Sequence, residues 1–550
     1  MSEKPPLPGG RRPTHLRAAA TGAAALIAVF IVVVLVAGCG SGSAPAQSQA
    51  LPPVISRTGP ESLVTPASEV TSNPTGIINA LHVLGVDRVD VWLPWNALAP
   101  DNTSTQRPSV DLSDPASYSA TAWAPYDAVV RQLKADHMGI DMDFFPPAPR
   151  WASGPGAPHP ARQTMWKPNP SDFADFVRAA GTRYSGHYIP PGASRPLPRV
   201  SFWSIWNEPD LGNFLAPEAT HHSQVEEAAR LYRGLVDAAW GALHQTGHGQ
   251  DTILFGELAP AGIHSGSVGN FNEMTPLRFL RALYCVDANY SPLSGEAAAL
   301  RGCPTTAAAS ARFAVQNPAL FHASGVSVHP YPQGLPPDTV TPDEPDYAEL
   351  AALPRLTQTL DRAQHVYGSH KKFSIWSTEF GYQTNPPETD PGTVSPTTAA
   401  YYLNWAEYIT YENPRVRSFD QYLVTDPTNS FFATGLLSDT GAPKPAYFAY
   451  RMPIFMPVTS TSHGRPLDVW GGARPAPQVQ KTTHRPQTVA IQYRAGGSGA
   501  WRTLRTVTLT NPHGYFEIRQ VFPGSGQVRL SWTPPHAAPD LSRTVSITVG

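Results

Sequence analysis

From about residue 64 to residue 452, short β-branched or aromatic runs alternate with longer segments whose apolar residues recur at helical spacing. Strands are predicted at 86–92, 139–145, 200–206, 252–256, 326–329, 373–378 and 417–424, with an eighth near 62–70. Helices fit between them at 126–136, 171–185, 223–246, 275–285, 347–366 and 396–412. The last opens with Ser395 as N-cap and Pro396 at the first helical position, a strong start signal. Strand, helix, strand repeated in this way predicts an α/β fold, a parallel sheet wrapped by helices. Eight strands over 62–452 suit a (β/α)8 barrel, the TIM barrel, with long loops. After Met452 the pattern changes to short alternating strands at 488–493, 501–509, 514–520, 528–532 and 544–549, which predicts a small all-β, immunoglobulin-like sandwich over 453–550.

Composition narrows the partners. Lys and Arg number 40 against 42 Asp and Glu, so there is no bulk positive field, and nucleic acid is not an expected partner. The 60 prolines point to many stiffened loops. Residues 1–39 read as an export segment: Lys4, Arg11, Arg12 and Arg17 precede an uncharged run that ends Leu35-Val36-Ala37-Gly38-Cys39. That ending resembles a bacterial lipobox, with Cys39 as the lipidated residue. An uncleaved membrane helix is the alternative, and either reading holds the chain to the outer face of a cell membrane, with 40–61 as a flexible tether. The remaining cysteines, Cys285 and Cys303, are expected to pair in an oxidising compartment. No ligand set for a metal is completed by them, and His221-His222 reads as a solvated helix start. No cofactor or metal is expected.

The chemistry concentrates at two strand ends. The run Ser201-Phe-Trp-Ser-Ile-Trp-Asn-Glu-Pro-Asp210 ends a strand in Asn207 and Glu208, and Lys372-Phe-Ser-Ile-Trp-Ser-Thr-Glu-Phe-Gly381 delivers Glu379 in the same manner. The carboxyl ends of barrel strands form one face, and the fourth and seventh lie across its mouth from each other. Two carboxylates on one rim are what glycosidic bond cleavage requires. Glu257, after the fifth strand, either binds sugar hydroxyls or closes a loop salt bridge. Trp92, Trp95 and Trp151 follow the second and third strands and are candidates for stacking on sugar rings, whereas Trp203 and Trp405 read as core. In the sandwich, Trp470, Trp501 and Trp532 read as core or interface residues, with glycan binding the less favoured role.

The Trp-Asn-Glu-Pro run, the later Thr-Glu-Phe-Gly and Val328-His-Pro-Tyr-Pro332 between them resemble clan A glycoside hydrolases, family 39 most of all. The resemblance spans about 62–452 and includes the stretch from Gly435 to Tyr447. It implies retention by double displacement on a poly- or oligosaccharide, with Glu208 as general acid/base and Glu379 as nucleophile. It further implies Asn207 at the sugar 2-hydroxyl, Tyr331 orienting the nucleophile, and His329 beside it on the rim. Two departures stand out. The second-strand arginine that supports the nucleophile in many clan members is replaced by Asp90, with Arg88 two residues away, and the tryptophan often found at the end of the eighth strand is replaced by the region of Gln421 and Tyr422. A glycan-binding lipoprotein without catalysis and a transglycosylase using the same two carboxylates are the competing readings.

Overall fold

A computed structural model describes residues 57–220, 224–263, 268–429 and 431–550. Cys39, the export segment, most of the tether and His221-His222 lie outside the described residues. Among those described, no helix is long and apolar enough to cross a membrane.

Eight parallel strands close into a barrel in chain order: β1 (Glu61–Thr65), β2 (Arg88–Trp92), β3 (Gly139–Phe144), β4 (Phe202–Ile205), β5 (Thr252–Leu258), β6 (Gly325–Val328), β7 (Ser374–Ser377) and β8 (Val416–Tyr422). Closure is made by β8 on β1, with Glu61 opposite Ser418 and Thr65 opposite Tyr422. Side chains alternate across a strand. On β2, β3 and β8 that alternation sets Val89, Val91, Ile140, Met142, Phe144 and Phe419 in the apolar core under the helices. The intervening Asp90, Asp141, Asp143 and Asp420 are buried on the other face of the same strands. The barrel interior is therefore unusually acidic, where branched apolar side chains commonly fill it.

The helices lie largely where the pattern places them, with four differences, one being that the helix expected over 347–366 begins at Leu353. Ala120–Ala135 starts ahead of the predicted 126 because Ser119 caps it, and it carries Pro125 inside. The helix expected from 223 begins at Ala228. Pro74–Leu84, capped by Asn73, was not predicted, since Pro and Gly in its first turn mask its apolar face. Pro396–Glu412 has the expected cap, with Ser395 accepting from the Thr398 amide at 3.1 Å. Cys285 and Cys303 are joined by a disulfide.

The C-terminal segment forms two sheets, antiparallel except where β10 runs parallel to β17, from β9 (Ile454–Phe455), β10 (Ser460–Thr461), β11 (Pro466–Gly472), β12 (Thr488–Ala495), β13 (Arg502–Thr508), β14 (Tyr515–Val521), β15 (Gly526–Trp532), β16 (Asp540–Leu541) and β17 (Val545–Val549). One sheet runs β14-β11-β9 and the other β10-β17-β15-β12-β13, with one apolar core between them. β11 escaped the pattern because a proline opens it and two glycines close it. Trp470 and Tyr515 from the first sheet pack with Phe455 against Tyr411 of helix Pro396–Glu412, and Trp405, read as barrel core, instead stacks on Phe455 at this junction. Arg474 and Glu407 form a fully buried ion pair there, and Tyr515 donates to the same Glu407 oxygen at 2.7 Å. Trp532 lies in the sandwich core.

Candidate active site

Glu208 sits just past β4, and its backbone is left-handed, with φ at +37°, as is that of Glu257 past the Gly256 bulge of β5, at +45°. Such conformations cost of order 1–3 kcal/mol for a residue with a Cβ, and they collect where side chains must be aimed. The Glu208 amide donates to the Glu257 carbonyl at 2.9 Å, which locks the two turns together. Gly256 is required beside them: its φ is +124°, and a Cβ there would lie 2.4 Å from the Ser327 carbonyl oxygen.

His329, one residue past β6, joins the acids. Its Nδ1 lies 3.0 Å from Glu208 Oε1 and 3.5 Å from Glu379 Oε2, and its Nε2 lies 2.9 Å from Glu257 Oε2. The ring is fully enclosed. Burial opposes its charge, but Glu379 and the hydrogen bonds to Glu208 and Glu257 raise its pKa well above the ordinary histidine value. Tyr331 donates its hydroxyl to Glu379 Oε2 at 3.1 Å, and Thr378 donates to Glu257. Glu379 is pushed up to about 7 by burial, with Glu208 and Glu257 adding to the rise and with His329 and Tyr331 opposing it.

One oxygen each of Glu208 and Glu379 and one His329 nitrogen lie within 4.8 Å of one another. This is the one group among the described residues with the spacing of a metal site.

The two glutamates open into a cleft of about 1080 Å³, whose wall includes Asn207, Trp92, Tyr331, Tyr422 and Phe432. Trp92 stacks on Phe145 with ring centroids 4.2 Å apart. The other two tryptophans proposed for sugar stacking do not line it. Trp95 is 0 % exposed, packed among Trp151, Phe173 and Phe176, and Trp151 is buried with its indole N–H on the Pro100 carbonyl. Glu257 is also off the cleft wall: it lies behind His329 and pairs with it, Oε2 2.9 Å from Nε2, so of its two expected roles the ion pair is the one it has. Arg88 pairs with Glu61 at the entry end of β2, so no arginine of that strand supports Glu379, and Asp90 lies in the acidic interior. At the end of β8 Tyr422 enters the cleft, while Gln421 turns away to donate to the Thr434 carbonyl at 2.7 Å.

Sequence reasoning missed the acidic floor and the cleft residues Phe431 and Phe432. The floor was readable as Val-Asp-Val and Ile-Asp-Met-Asp-Phe, strands whose inward positions are acids. The Phe pair lies in an irregular loop that no periodicity marks.

Among solved structures, the chain is similar to a family 39 glycoside hydrolase from the gut symbiont Bacteroides cellulosilyticus WH2, at 13% identity over 86% of this chain and 83% of that one, TM-score 0.45. It is similar to a family 1 β-glucosidase from Thermotoga maritima, at 13% identity over 70% and 93%, TM-score 0.43. It is also similar to the β-glycosidase from the hyperthermophile Thermosphaera aggregans, at 13% identity over 72% and 96%, TM-score 0.41. No protein-family model and no curated protein matches it. The barrel itself rests on this chain's own strand pairing.

Proposed function

We propose that this chain is a retaining glycoside hydrolase acting on a poly- or oligosaccharide, with Glu208 as general acid/base and Glu379 as nucleophile. The observation that carries the reading is the pair of carboxylates on opposite strand ends, with oxygens within 4.8 Å across a cleft. Retaining enzymes hold their carboxyl groups about 5 to 5.5 Å apart, whereas inverting ones need about 6.5 to 9.5 Å to admit a water.

In this reading Glu208 gives its proton to the leaving oxygen as Glu379 attacks the anomeric carbon. Tyr331 fixes the attacking carboxylate from one side, and the His329 imidazolium supplies the positive charge that an arginine on β2 would otherwise bring. When the glycosyl-enzyme forms, the charge on Glu379 is gone, and Glu208 takes a proton from the incoming water. Asn207, which lines the cleft beside Glu208, is in this reading the amide that contacts the sugar 2-hydroxyl. The chain works outside the cell, held by lipid on Cys39 or by an N-terminal helix; the sequence pattern of residues 1–39 and the Cys285–Cys303 disulfide support this.

The test is product detection by mass spectrometry after incubation with xylan, arabinan, galactan, glucan and bacterial envelope glycans, beside Glu379→Gln. A product series from the wild type alone is expected. Retained turnover in Glu379→Gln, or glycan binding without products from the folded wild type, would overturn the reading.

A further inference from the structure

The near-zero net charge of the chain conceals a division. Residues 62–452 hold 25 basic and 37 acidic side chains, whereas residues 453–550 hold ten basic and three acidic, a surplus of seven positive charges on about one hundred residues. Part of that surplus is gathered on one face of the sandwich. Along β12 Val489, Ile491 and Tyr493 point into the core, so Gln492 and Arg494 point out, and along β15 Val528 and Leu530 point in, so Gln527 and Arg529 point out. Trp501, at the entry to β13, stands beside them.

The arrangement is built. The Arg529 guanidinium carbon lies 4.1 Å from the Trp501 ring centroid, and that of Arg494 lies 4.7 Å from it. Each guanidinium is oriented by a glutamine on the neighbouring strand: Arg494 Nε donates to Gln527 Oε1 at 2.7 Å, and Arg529 Nε donates to Gln492 Oε1 at 2.8 Å. Those bonds use one N–H of the five on each group. Neither arginine makes an ion pair with a carboxylate among the described residues. Burial and the nearby charge of Arg494 both act against the charge of Arg529. Two like charges are thus held on one half-exposed indole with no carboxylate paired to either among the described residues.

We infer that the outer face of β12, β13 and β15, with Trp501 between Arg494 and Arg529, is a docking surface for a uronic-acid-bearing polysaccharide. A pyranose presents an apolar face to the open part of the indole. In a uronate the carboxylate is attached to the ring itself, so a ring resting at Trp501 brings its charge to planar guanidinium forks that match it. A polymer of glycerol phosphate lacks the ring. Duplex DNA carries a charge every ~1.7 Å, a density that the acidic barrel on the same chain disfavours. This surface stands on the sandwich alone and does not depend on the chemistry assigned to the barrel.

The test is binding of the full-length chain in detergent to immobilised polygalacturonate and to neutral galactan, with poly(glycerol phosphate), phosphatidylglycerol vesicles and duplex DNA as further probes. The variants are Trp501→Ala and the pair Arg494→Gln with Arg529→Gln. The charge-matched control is Arg465→Gln with Lys481→Gln, two exposed positions elsewhere on the sandwich. Thermal melting establishes that each variant is folded. Binding to polygalacturonate over galactan is expected, weakened about fivefold or more by either set of surface changes and unaffected by the control. Equal loss in the control would reduce the effect to bulk charge and overturn the proposal. So would tighter binding to vesicles, DNA or poly(glycerol phosphate), or no binding to polygalacturonate.

Discussion

At the scale of single residues, burial and charge pull Glu379 in opposite directions. Desolvation lifts its carboxyl to about 7, and the two groups that oppose the rise are the His329 imidazolium and the Tyr331 hydroxyl. As the proposed nucleophile Glu379 works ionised, so the acid limb of kcat/KM should fall near pH 7. Tyr331→Phe removes a hydrogen bond that lowers this pKa, which moves the limb to higher pH. A hydrogen bond to a charged group contributes about 1.5 to 3 kcal/mol, so activity below the limb should drop about tenfold or more, with a smaller loss above it. A pH–rate profile on any cleaved substrate measures this, and a uniform loss at all pH values would assign Tyr331 a merely structural role. Whereas His329 and Tyr331 came only from the resemblance carried by Val328-His-Pro-Tyr-Pro332, the pairing of Glu208 with Glu379 was legible in the sequence because each follows a short strand and strand ends meet on one face of a barrel. Trp95 and Trp151 were misread for the same reason. Position after a strand says that a side chain is near the rim, but whether a tryptophan turns out to the cleft or in toward Phe173 and Phe176 depends on packing with residues far along the chain.

At the scale of elements, the inward rows of β2, β3 and β8 are acids with little to neutralise them. Burial, reinforced by neighbouring carboxylates, raises Asp90, Asp141, Asp143 and Asp420 well above the ordinary aspartate value. A carboxyl whose folded pKa is raised binds its proton more tightly in the fold than in the unfolded chain. The stability this gives is fully present below the unfolded value, about 4, and is lost as pH rises through the folded values. Thermal midpoints should therefore fall from mildly acidic to alkaline pH, and Asp143→Asn should flatten that slope. Calorimetry across pH 5 to 9 checks it, and a midpoint that rises over this window would contradict it. Seven barrel strands were legible as short runs rich in β-branched or aromatic residues, and β1 was expected only loosely near 62–70 and lies at Glu61–Thr65. Helix Pro74–Leu84 and strand β11 were not, because Pro and Gly at their ends hide a buried face that only tertiary contacts reveal.

At the scale of the molecule, an acidic barrel carries the carboxylate pair and a basic sandwich is bolted to it by Arg474, Glu407 and a cluster of aromatic rings. Whole-chain composition reported only the sum of the two charges, so the division between them was invisible until the segments were separated. The central claim is that Glu379 forms a covalent bond to sugar during turnover. Its most direct test is peptide mapping by mass spectrometry after treatment with a 2-deoxy-2-fluoro glycoside of the cleaved sugar bearing a good leaving group, which slows release of the glycosyl-enzyme. The sugar mass is predicted on the peptide containing Glu379. The same mass on Glu208 or on any other residue would contradict the account.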